Sequence, residues 1–352
     1  MKKILYTASA LIFMACSSSK NASKDDANVD QATKYAATIT AKDLGSHLFT
    51  YASDEYEGRN TGEPGQKKAV QYLKNFYINT GIPSPLGGDD YFQEISTEWL
   101  SSKSRRGKLK DSENVVAFIK GTEKPDEIIV LSAHLDHVGV NNGEIYNGAD
   151  DDGSGTVALL EIAEAFKIAA DNGKGPKRSI LFLHVTGEEK GLLGSKYYTD
   201  EDPIFPLENT VCNLNIDMIG RIDARHKDNP NYVYLIGSNK LSTELHNLSE
   251  EVNKKYTNIS LDYKYNDDND PNRFYYRSDH YNFAKNNVPI IFYFNGTHVD
   301  YHKPGDTPDK IYYELLENRT RLVFHTAWEV ANKETRIIAD KAKPTKKKEV
   351  KK

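Results

Sequence analysis

The sequence predicts an α/β fold, a three-layer sandwich in which helices flank a central mixed, mostly parallel sheet. The first observation behind this prediction is a set of apolar runs at residues 128–131, 180–185, 211–216 and 288–294. The run 128–131 has no polar alternation, which is typical of a strand buried on both faces. The second observation is the helical spacing of apolar residues between these runs, which is clearest over residues 154–170. Strands that alternate with helices build a sheet covered on both sides.

Helix start and stop signals place the individual elements. Thr40, with Asp43 three residues later, indicates the start of a short helix, and Pro64 opens a second helix that Gly81 and Pro83 end. The other predicted elements are, in order, a strand at 91–95, paired strands at 114–119 and 128–133, a helix at 154–170, strands at 180–185, 211–216 and 232–236, a helix at 241–256, a strand at 288–294 and a closing helix at 312–331.

Composition narrows the class of protein. The chain has 352 residues, of which 38% are hydrophobic and 28% charged, as in an ordinary folded domain with a sizeable core. The net charge of −5 gives no reason to expect nucleic acid as a partner. The two cysteines, Cys16 and Cys212, cannot supply a disulfide scaffold or a thiolate metal site. Any metal must therefore be bound by histidine and carboxylate.

The N-terminus has the pattern of a signal peptide. A basic start precedes an apolar stretch over residues 4–15, which is too short to span a bilayer as a stable helix. Ala15-Cys16-Ser17 at its end resembles the lipobox of bacterial lipoproteins, in which the cysteine becomes the acylated first residue. The resemblance implies lipidation at Cys16 and a place in the cell envelope, outside the cytoplasm, as in the bacterial outer membrane.

We therefore predict four parts of the chain: a lipoprotein signal peptide at 1–15, a flexible tether at 16–34, a single domain at 35–338 and a disordered basic tail at 339–352. The tether is rich in Ser, Lys, Asp and Asn and has too little apolar surface to form a core. The region 35–338 has no internal repeat and no linker-like segment, which favours one domain.

Acidic or imidazole side chains follow four predicted strands at the point where each ends. They are His134 and Asp136 after 128–133, Glu188 and Glu189 after 180–185, Asp217 after 211–216, and His298 and His302 after 288–294. Three consecutive aspartates, 150–152, precede the helix at 154–170; alone, such a run is most often a solvated turn. Open α/β sheets bind ligands at the carboxyl ends of their strands, so we expect these groups to form one site. Histidine and carboxylate ligands suit zinc.

The ordered motifs resemble one family. They are Ala133-His134-Leu135-Asp136, Gly148-Ala149-Asp150-Asp151-Asp152-Gly153-Ser154-Gly155, Gly187-Glu188-Glu189-Lys190-Gly191, Asn215-Ile216-Asp217-Met218, and Tyr301-His302 with Asp306-Thr307. This set is similar to that of the co-catalytic zinc peptidases that include the bacterial leucyl aminopeptidases and the glutamate carboxypeptidases. The resemblance covers roughly residues 43–329. The interval 93–114 is too short for the protease-associated domain that many relatives carry inserted there.

The resemblance implies a role for each motif position. Two zinc ions would be bound by His134, Asp151, Glu189, Asp217 and His302, with Asp151 bridging both, His134 and Asp217 at one ion, and Glu189 and His302 at the other. Glu188 would be the general base. Asp136 would hold the ring of His134, and Tyr301 would donate a hydrogen bond to the developing oxyanion.

Two points of this assignment stay open at the level of sequence. Asp150 and Asp152 flank the bridging position, so the assignment can shift by one residue. His137 and His298 lie close in the sequence to the ligand histidines. Each either supports the ligands from outside, lies at the surface, or takes the place of a ligand histidine.

The function implied is that of an exopeptidase acting on peptides, most simply an aminopeptidase. The polarity rests on the loop 265–280, where Asp267, Asp268, Asp270 and Asp279 outnumber Arg273 and Arg277 and favour an ammonium over a carboxylate. We predict substrate contacts from Arg277, Asp279 and His280. The alternatives are a carboxypeptidase of the same fold, a one-zinc glutaminyl cyclase-like enzyme and a non-catalytic binding protein of this fold. The sequence gives neither the preferred residue nor the oligomeric state.

Overall fold

The computed structural model describes residues 31–104 and 107–342. The predictions for the signal peptide, for Cys16 and for most of the tether lie outside the described residues, as do those for residues 343–352. Within the described ranges no helix is both long and apolar enough to cross a membrane.

A central sheet of eight strands forms the middle layer, in the spatial order β1-β2-β6-β3-β7-β10-β8-β9. Its strands are β1 (Phe92–Ile95), β2 (Ser112–Ile119), β3 (Lys124–His134), β6 (Arg178–Val185), β7 (Thr210–Ile216), β8 (Tyr232–Ile236), β9 (Ser260–Asp262) and β10 (Ile290–Phe294). A small hairpin of β4 (Gly139–Asn141) and β5 (Glu144–Tyr146) stands apart. The neighbours β6, β3, β7 and β10 run parallel, while β1, β2 and the β10–β8 pair add antiparallel contacts. The predicted mixed, mostly parallel sheet is confirmed.

Helices cover both faces of this sheet. They are α1 (Ala41–Tyr51), α2 (Pro64–Thr80), α3 (Thr97–Lys103), α4 (Gly155–Asp171), α5 (Leu193–Asp200), α6 (Thr243–Val252), α7 (His280–Ala284) and α8 (Tyr313–Asn332). Strand β3 shows why its sequence lacks alternation: Ile129 and Leu131 pack into the core beneath α1, α2, α4 and α8. Val130, on the other face, packs with side chains of α5 and α7. Both faces are buried, so both carry apolar residues.

The predicted elements are present, and several short elements were missed. Helix α6 ends at Val252, with a single wider turn over Asn253–Thr257, where the sequence predicted one helix to 256. Helices α3, α5 and α7, the β4–β5 hairpin and β9 were not predicted. They have three to eight residues each, too few for a hydrophobic period to be recognisable.

The packed chain is slightly longer than the predicted domain of 35–338. Ala32 is fully buried in the core, which places residues 31–34 in the domain rather than in the tether. At the other end, Asp340 accepts hydrogen bonds from the backbone N–H and the hydroxyl of Thr243. Residues 339–342 therefore contact α6 and are not part of a free tail.

The strand order explains where the acidic and imidazole residues meet. Strands β6, β3, β7 and β10 are neighbours and parallel, so their carboxyl ends lie along one edge of the sheet. These are the four strands that the polar motifs follow in the sequence.

Candidate metal centre

The loop between β5 and α4 holds the three aspartates, and all three are buried. Asp152 accepts backbone N–H groups from His134, Gly155 and Met218, at 3.0 to 3.1 Å. Asp150 accepts the N–H of Gly220 at 2.7 Å. The two outer aspartates thus cross-link loops, whereas the Asp151 carboxylate lies against the imidazoles of His134 and His302. The burial of all three does not fit a solvated acidic turn, and Asp151 is the one that occupies the predicted bridging position.

Asp151 lies between two groups of potential ligands. Its Oδ1 is 3.1 Å from His134 Nε2, which is itself 3.6 Å from Asp217 Oδ1. Its Oδ2 is 3.0 Å from His302 Nε2, which is 3.1 Å from Glu189 Oε1. One carboxylate therefore presents one oxygen to each group, which is the arrangement that a bridging ligand requires.

A further histidine faces the second group. His137 Nδ1 lies 3.1 Å from Glu189 Oε1 and 3.8 Å from Asp151 Oδ2. Its ring stands edge-on to that of His302, with centroids 5.7 Å apart. Three buried residues, His137, Asp151 and Glu189, are close enough to share one cation, as are His134, Asp151 and Asp217.

The buried polar atoms of this cluster fit metal ions. His134 Nε2, Asp151 Oδ2, Glu189 Oε1 and His137 Nδ1 are all buried without a hydrogen-bond partner. Buried polar atoms nearly always have a hydrogen-bond partner. Unpartnered ones at a functional site often mark the position of an ion. Nitrogen and carboxylate oxygen together are the ligands that zinc prefers. The residues present thus fit a pair of divalent cations.

The ionised carboxylates of the cluster favour the binding of cations. Burial opposes ionisation of Asp151, yet the neighbouring imidazoles of His137, His134 and His302 hold its pKa well below the usual range. Burial also opposes ionisation of Glu189, but the nearby histidines lower its pKa to about 2. Conversely, burial disfavours charge on His302, but Asp151 and Glu189 raise its pKa to about 10. Both carboxylates stay ionised and need cationic neighbours.

Glu188 differs from Glu189 although the two are adjacent. It is only half-buried and lines a small cleft beside Asp151 and Asp217, about 330 Å³ with its open mouth included. The desolvation of its carboxyl group raises its pKa well above the usual range, and the charges of Glu189 and Asp217 add to the effect. A carboxylate with a raised pKa binds a proton more readily than an ordinary one, which suits a group that accepts protons.

The role predicted for the Asp136 side chain is wrong in its detail. His134 Nδ1 contacts the main-chain oxygen of Asp136 at 2.9 Å, while the Asp136 carboxylate lies 4.0 Å away. The carboxylate instead accepts the backbone N–H of Glu188 at 3.0 Å and the hydroxyl of Thr61 at 2.8 Å. The main chain of residue 136 orients the His134 ring, and its side chain fixes the loop that carries the two glutamates.

The mouth of the cleft holds a tyrosine and an arginine. Tyr301 stacks on His302 with ring centroids 4.0 Å apart, and its hydroxyl accepts a hydrogen bond from Arg277 at 3.2 Å. The Arg277 guanidinium also lies over the ring of Phe274, 4.8 Å from its centroid. Both side chains line the cleft, as the prediction of a substrate contact for Arg277 requires.

Asp279 and His280 are placed differently from the prediction of substrate contact. Both side chains are fully buried. Asp279 accepts a hydrogen bond from Ser195, and burial raises its pKa to about 7. His280 stacks on Phe292 and contacts the main-chain oxygen of Tyr275, and burial lowers its pKa to about 3. They lie beneath the cleft wall rather than at its surface, so the prediction of direct contact is wrong for both.

The acidic residues of the loop 265–280 do not point at the cluster either. Asp268 pairs with Lys240, and Asp270 accepts backbone N–H groups of its own loop. Together with Asp267 they line a separate exposed cleft. The excess of acid in this loop therefore carries no information about substrate polarity.

Three residues outside the ligand groups support the site, and of these sequence reasoning missed Arg59. The buried guanidinium of Arg59 donates to the main-chain oxygens of Leu135, Asn147 and Gly148, on both sides of the site. Asp306 accepts the backbone N–H groups of Asp150 and Asp151 at 3.1 Å. His298 Nε2 lies 3.2 Å from Asp150 Oδ2, which makes it a neighbour of the aspartate loop and not of the metal-facing atoms. Two of them gave a signal in the sequence: Asp306 through the motif of the family resemblance, and His298 through its position after the strand at 288–294.

Fold and cluster together define a class: an α/β sandwich with a buried cluster of carboxylate and histidine side chains, able to bind metal, at the carboxyl edge of its sheet. The chain belongs to peptidase family M28, whose model matches residues 114–327. The resemblance carried by the sequence motifs is thereby confirmed at the level of the family.

Individual relatives agree with this assignment. The chain is 29% identical over 286 residues to aminopeptidase Y of Saccharomyces cerevisiae, a match that covers 78% of this chain and 43% of the yeast protein. It is 36% identical over 110 residues to the probable glutamate carboxypeptidase AMP1 of Arabidopsis thaliana, covering 31% and 15% of the two chains. The chain thus spans less than half the length of these relatives.

Among solved structures, an aminopeptidase from Aneurinibacillus sp. strain AM-1 is similar, with a TM-score of 0.63. The match covers 90% of this chain and 98% of that one, at 17% identity. At this identity the likeness concerns the fold.

Proposed function

We propose that the protein is a metal-dependent exopeptidase that uses two zinc ions to release N-terminal residues from peptides. The observation that carries the proposal is the position of Asp151, with one carboxylate oxygen toward His134 and the other toward His302. Membership of a peptidase family supports hydrolysis of an amide bond as the reaction.

In this proposal the ligands divide between two ions. His134 and Asp217 would bind one ion, Glu189 and His302 would bind the other, and Asp151 would be shared by both. When bound, the paired ions polarise the scissile carbonyl and acidify the attacking water. The three ionised carboxylates offset most of the charge of two divalent ions, which makes a buried pair of ions tolerable.

The chain's own residues supply the proton transfers and the substrate contacts. Glu188 lines the cleft without belonging to either ligand group, so it accepts the proton of the attacking water and passes it to the leaving amine. Tyr301, beside His302 at the mouth, is placed to donate a hydrogen bond to the developing oxyanion. Met218, Phe274, Phe292 and Phe294 form apolar walls that fit an apolar side chain.

The polarity of the exopeptidase rests on the charges at the cleft. The carboxyl groups of Asp217 and Glu188 make the cleft acidic, and an acidic cleft favours the free ammonium of a substrate and hence an aminopeptidase. Arg277 at the same cleft favours a carboxypeptidase instead, since a guanidinium binds a carboxylate through two parallel hydrogen bonds.

A set of end-blocked dipeptides tests this polarity. An aminopeptidase should lose at least ~10²-fold in kcat/KM when the substrate N-terminus is acetylated, because the ammonium contact is lost, and should keep its rate when the C-terminus is amidated. Hydrolysis of the free, acetylated and amidated forms of one dipeptide, followed by chromatography, gives the answer. Activity that survives acetylation and disappears on amidation would establish the carboxypeptidase instead.

Metal content separates the remaining alternatives. An exopeptidase of the proposed kind binds two zinc ions per chain, a glutaminyl cyclase-like enzyme one, and a binding protein of this fold none. Elemental analysis of the purified protein after dialysis against zinc distinguishes them.

We also propose that a lipid on Cys16 holds the protein in the cell envelope. Replacement of Cys16 by serine should abolish labelling by a radioactive fatty acid and move the protein from the membrane fraction to the soluble fraction, because acyl chains supply the membrane affinity. Immunoblots of fractionated cells measure the shift, with Cys212→Ser as the matched control. Membrane association that survives in Cys16→Ser would point to another anchor.

A further inference from the structure

We propose that His137 is a ligand of the second metal ion, in addition to Asp151, Glu189 and His302. The inference rests on the proposed two-metal function and deepens it, because the two ions would then differ in their protein ligands. One ion would have a single imidazole, from His134, and the other would have two.

The position of the His137 ring supports this proposal. Its Nδ1 lies 3.1 Å from Glu189 Oε1, as close as His302 Nε2 lies to the same oxygen. The side chain is fully buried, and neither ring nitrogen has a hydrogen-bond partner among the described residues. A buried imidazole without a partner is unfavourable, whereas binding of Nδ1 to a cation satisfies that nitrogen.

The ring is also fixed in this orientation. The main-chain N–H of His137 donates to the oxygen of Arg59 at 3.3 Å. A Cβ built on Gly148 would come within 2.4 Å of His137 Cγ, so the imidazole fills the space that a side chain at position 148 would need. The ring therefore cannot swing toward that side, and a fixed ligand loses little entropy on binding a metal.

The two sites should consequently differ in affinity and preference. The additional nitrogen increases the number of protein ligands at the second ion and shifts its preference toward zinc and cobalt over manganese and magnesium. The second site should fill first when metal-free protein is titrated.

The test is a zinc titration of the full, metal-free chain against a competing chelator. His137→Ala should weaken one of the two bound zinc ions by at least ~10-fold and leave the other unchanged. His325→Ala is the matched control. His325 is also buried with an unpartnered Nδ1, but it stacks on Tyr256 away from the cluster, so both affinities should persist. A His137→Ala protein that binds both ions like the unmodified chain would overturn the proposal.

X-ray absorption of the unmodified, zinc-loaded protein gives a second measurement that needs no variant. It should count three imidazoles shared by two zinc ions, and a count of two would also overturn the proposal. His302→Ala separates this inference from the proposed function. If His302→Ala weakens zinc and His137→Ala does not, only the role of His137 is refuted. If the unmodified chain binds no zinc, the two-metal function itself fails.

Discussion

Replacement of Glu188 by glutamine should lower kcat by at least ~10²-fold while both metal ions stay bound. Glutamine has nearly the same shape but cannot accept the proton of the attacking water. Glu188 lines the cleft and belongs to neither group of ligands, so its loss should affect the proton transfer and not metal retention. Steady-state kinetics and elemental analysis of the same sample measure the two effects.

Glu161→Gln is a suitable control for this substitution. Glu161 is a buried glutamate whose pKa is raised by desolvation, as is that of Glu188, but it pairs with His47 rather than with the metal cluster. Its replacement should leave kcat within a factor of a few. If Glu188→Gln instead lost one metal ion, Glu188 would be the ligand and the roles of Glu188 and Glu189 would be reversed.

Replacement of Asp151 by alanine should have the largest effect of any single substitution, with loss of activity and a decrease of more than ~10²-fold in affinity for both metal ions. Each oxygen of Asp151 faces a different group of ligands, so one change removes a ligand from both sites and leaves two cations without the negative charge between them.

Thermal unfolding with and without added zinc measures this effect, because a bound ion stabilises the folded state. The unmodified protein should show a rise in Tm on addition of zinc, and Asp151→Ala should not. Asp200→Ala is the control, since Asp200 pairs with Lys285 outside the cluster and its loss should leave the zinc-dependent rise intact. A zinc-dependent rise that survived in Asp151→Ala would show that Asp151 is not the bridge.

Much of the fold could be predicted from the sequence because burial on both faces leaves a clear signal. The runs that became β3, β6, β7 and β10 are predominantly apolar, and α4 and α8 keep a helical period over many residues. The position of the site could also be predicted, because polar residues follow these strands and the carboxyl ends of neighbouring parallel strands lie at one edge of the sheet. The ordered motifs gave the family.

The errors concern side chains whose partners are distant in the sequence. Asp279 and His280 are polar residues in a polar loop, and only the packing against Ser195 and Phe292 shows that they are buried. Nothing near Asp268 predicts its pairing with Lys240, 28 residues away. The role of the Asp136 carboxylate likewise depends on the backbone of Glu188.

By itself, then, the sequence determined the sheet, the family and the five motif positions around which the site forms. The strands of the sheet follow from local composition and period, whereas the family and the motif positions follow from the resemblance of the ordered motifs. The tertiary structure alone decided which of three adjacent aspartates faces the cluster, that a main-chain oxygen orients His134, and that His137 joins His302 at Glu189. Each of these depends on the direction of a side chain in space, and that direction is set by contacts between segments far apart in the chain.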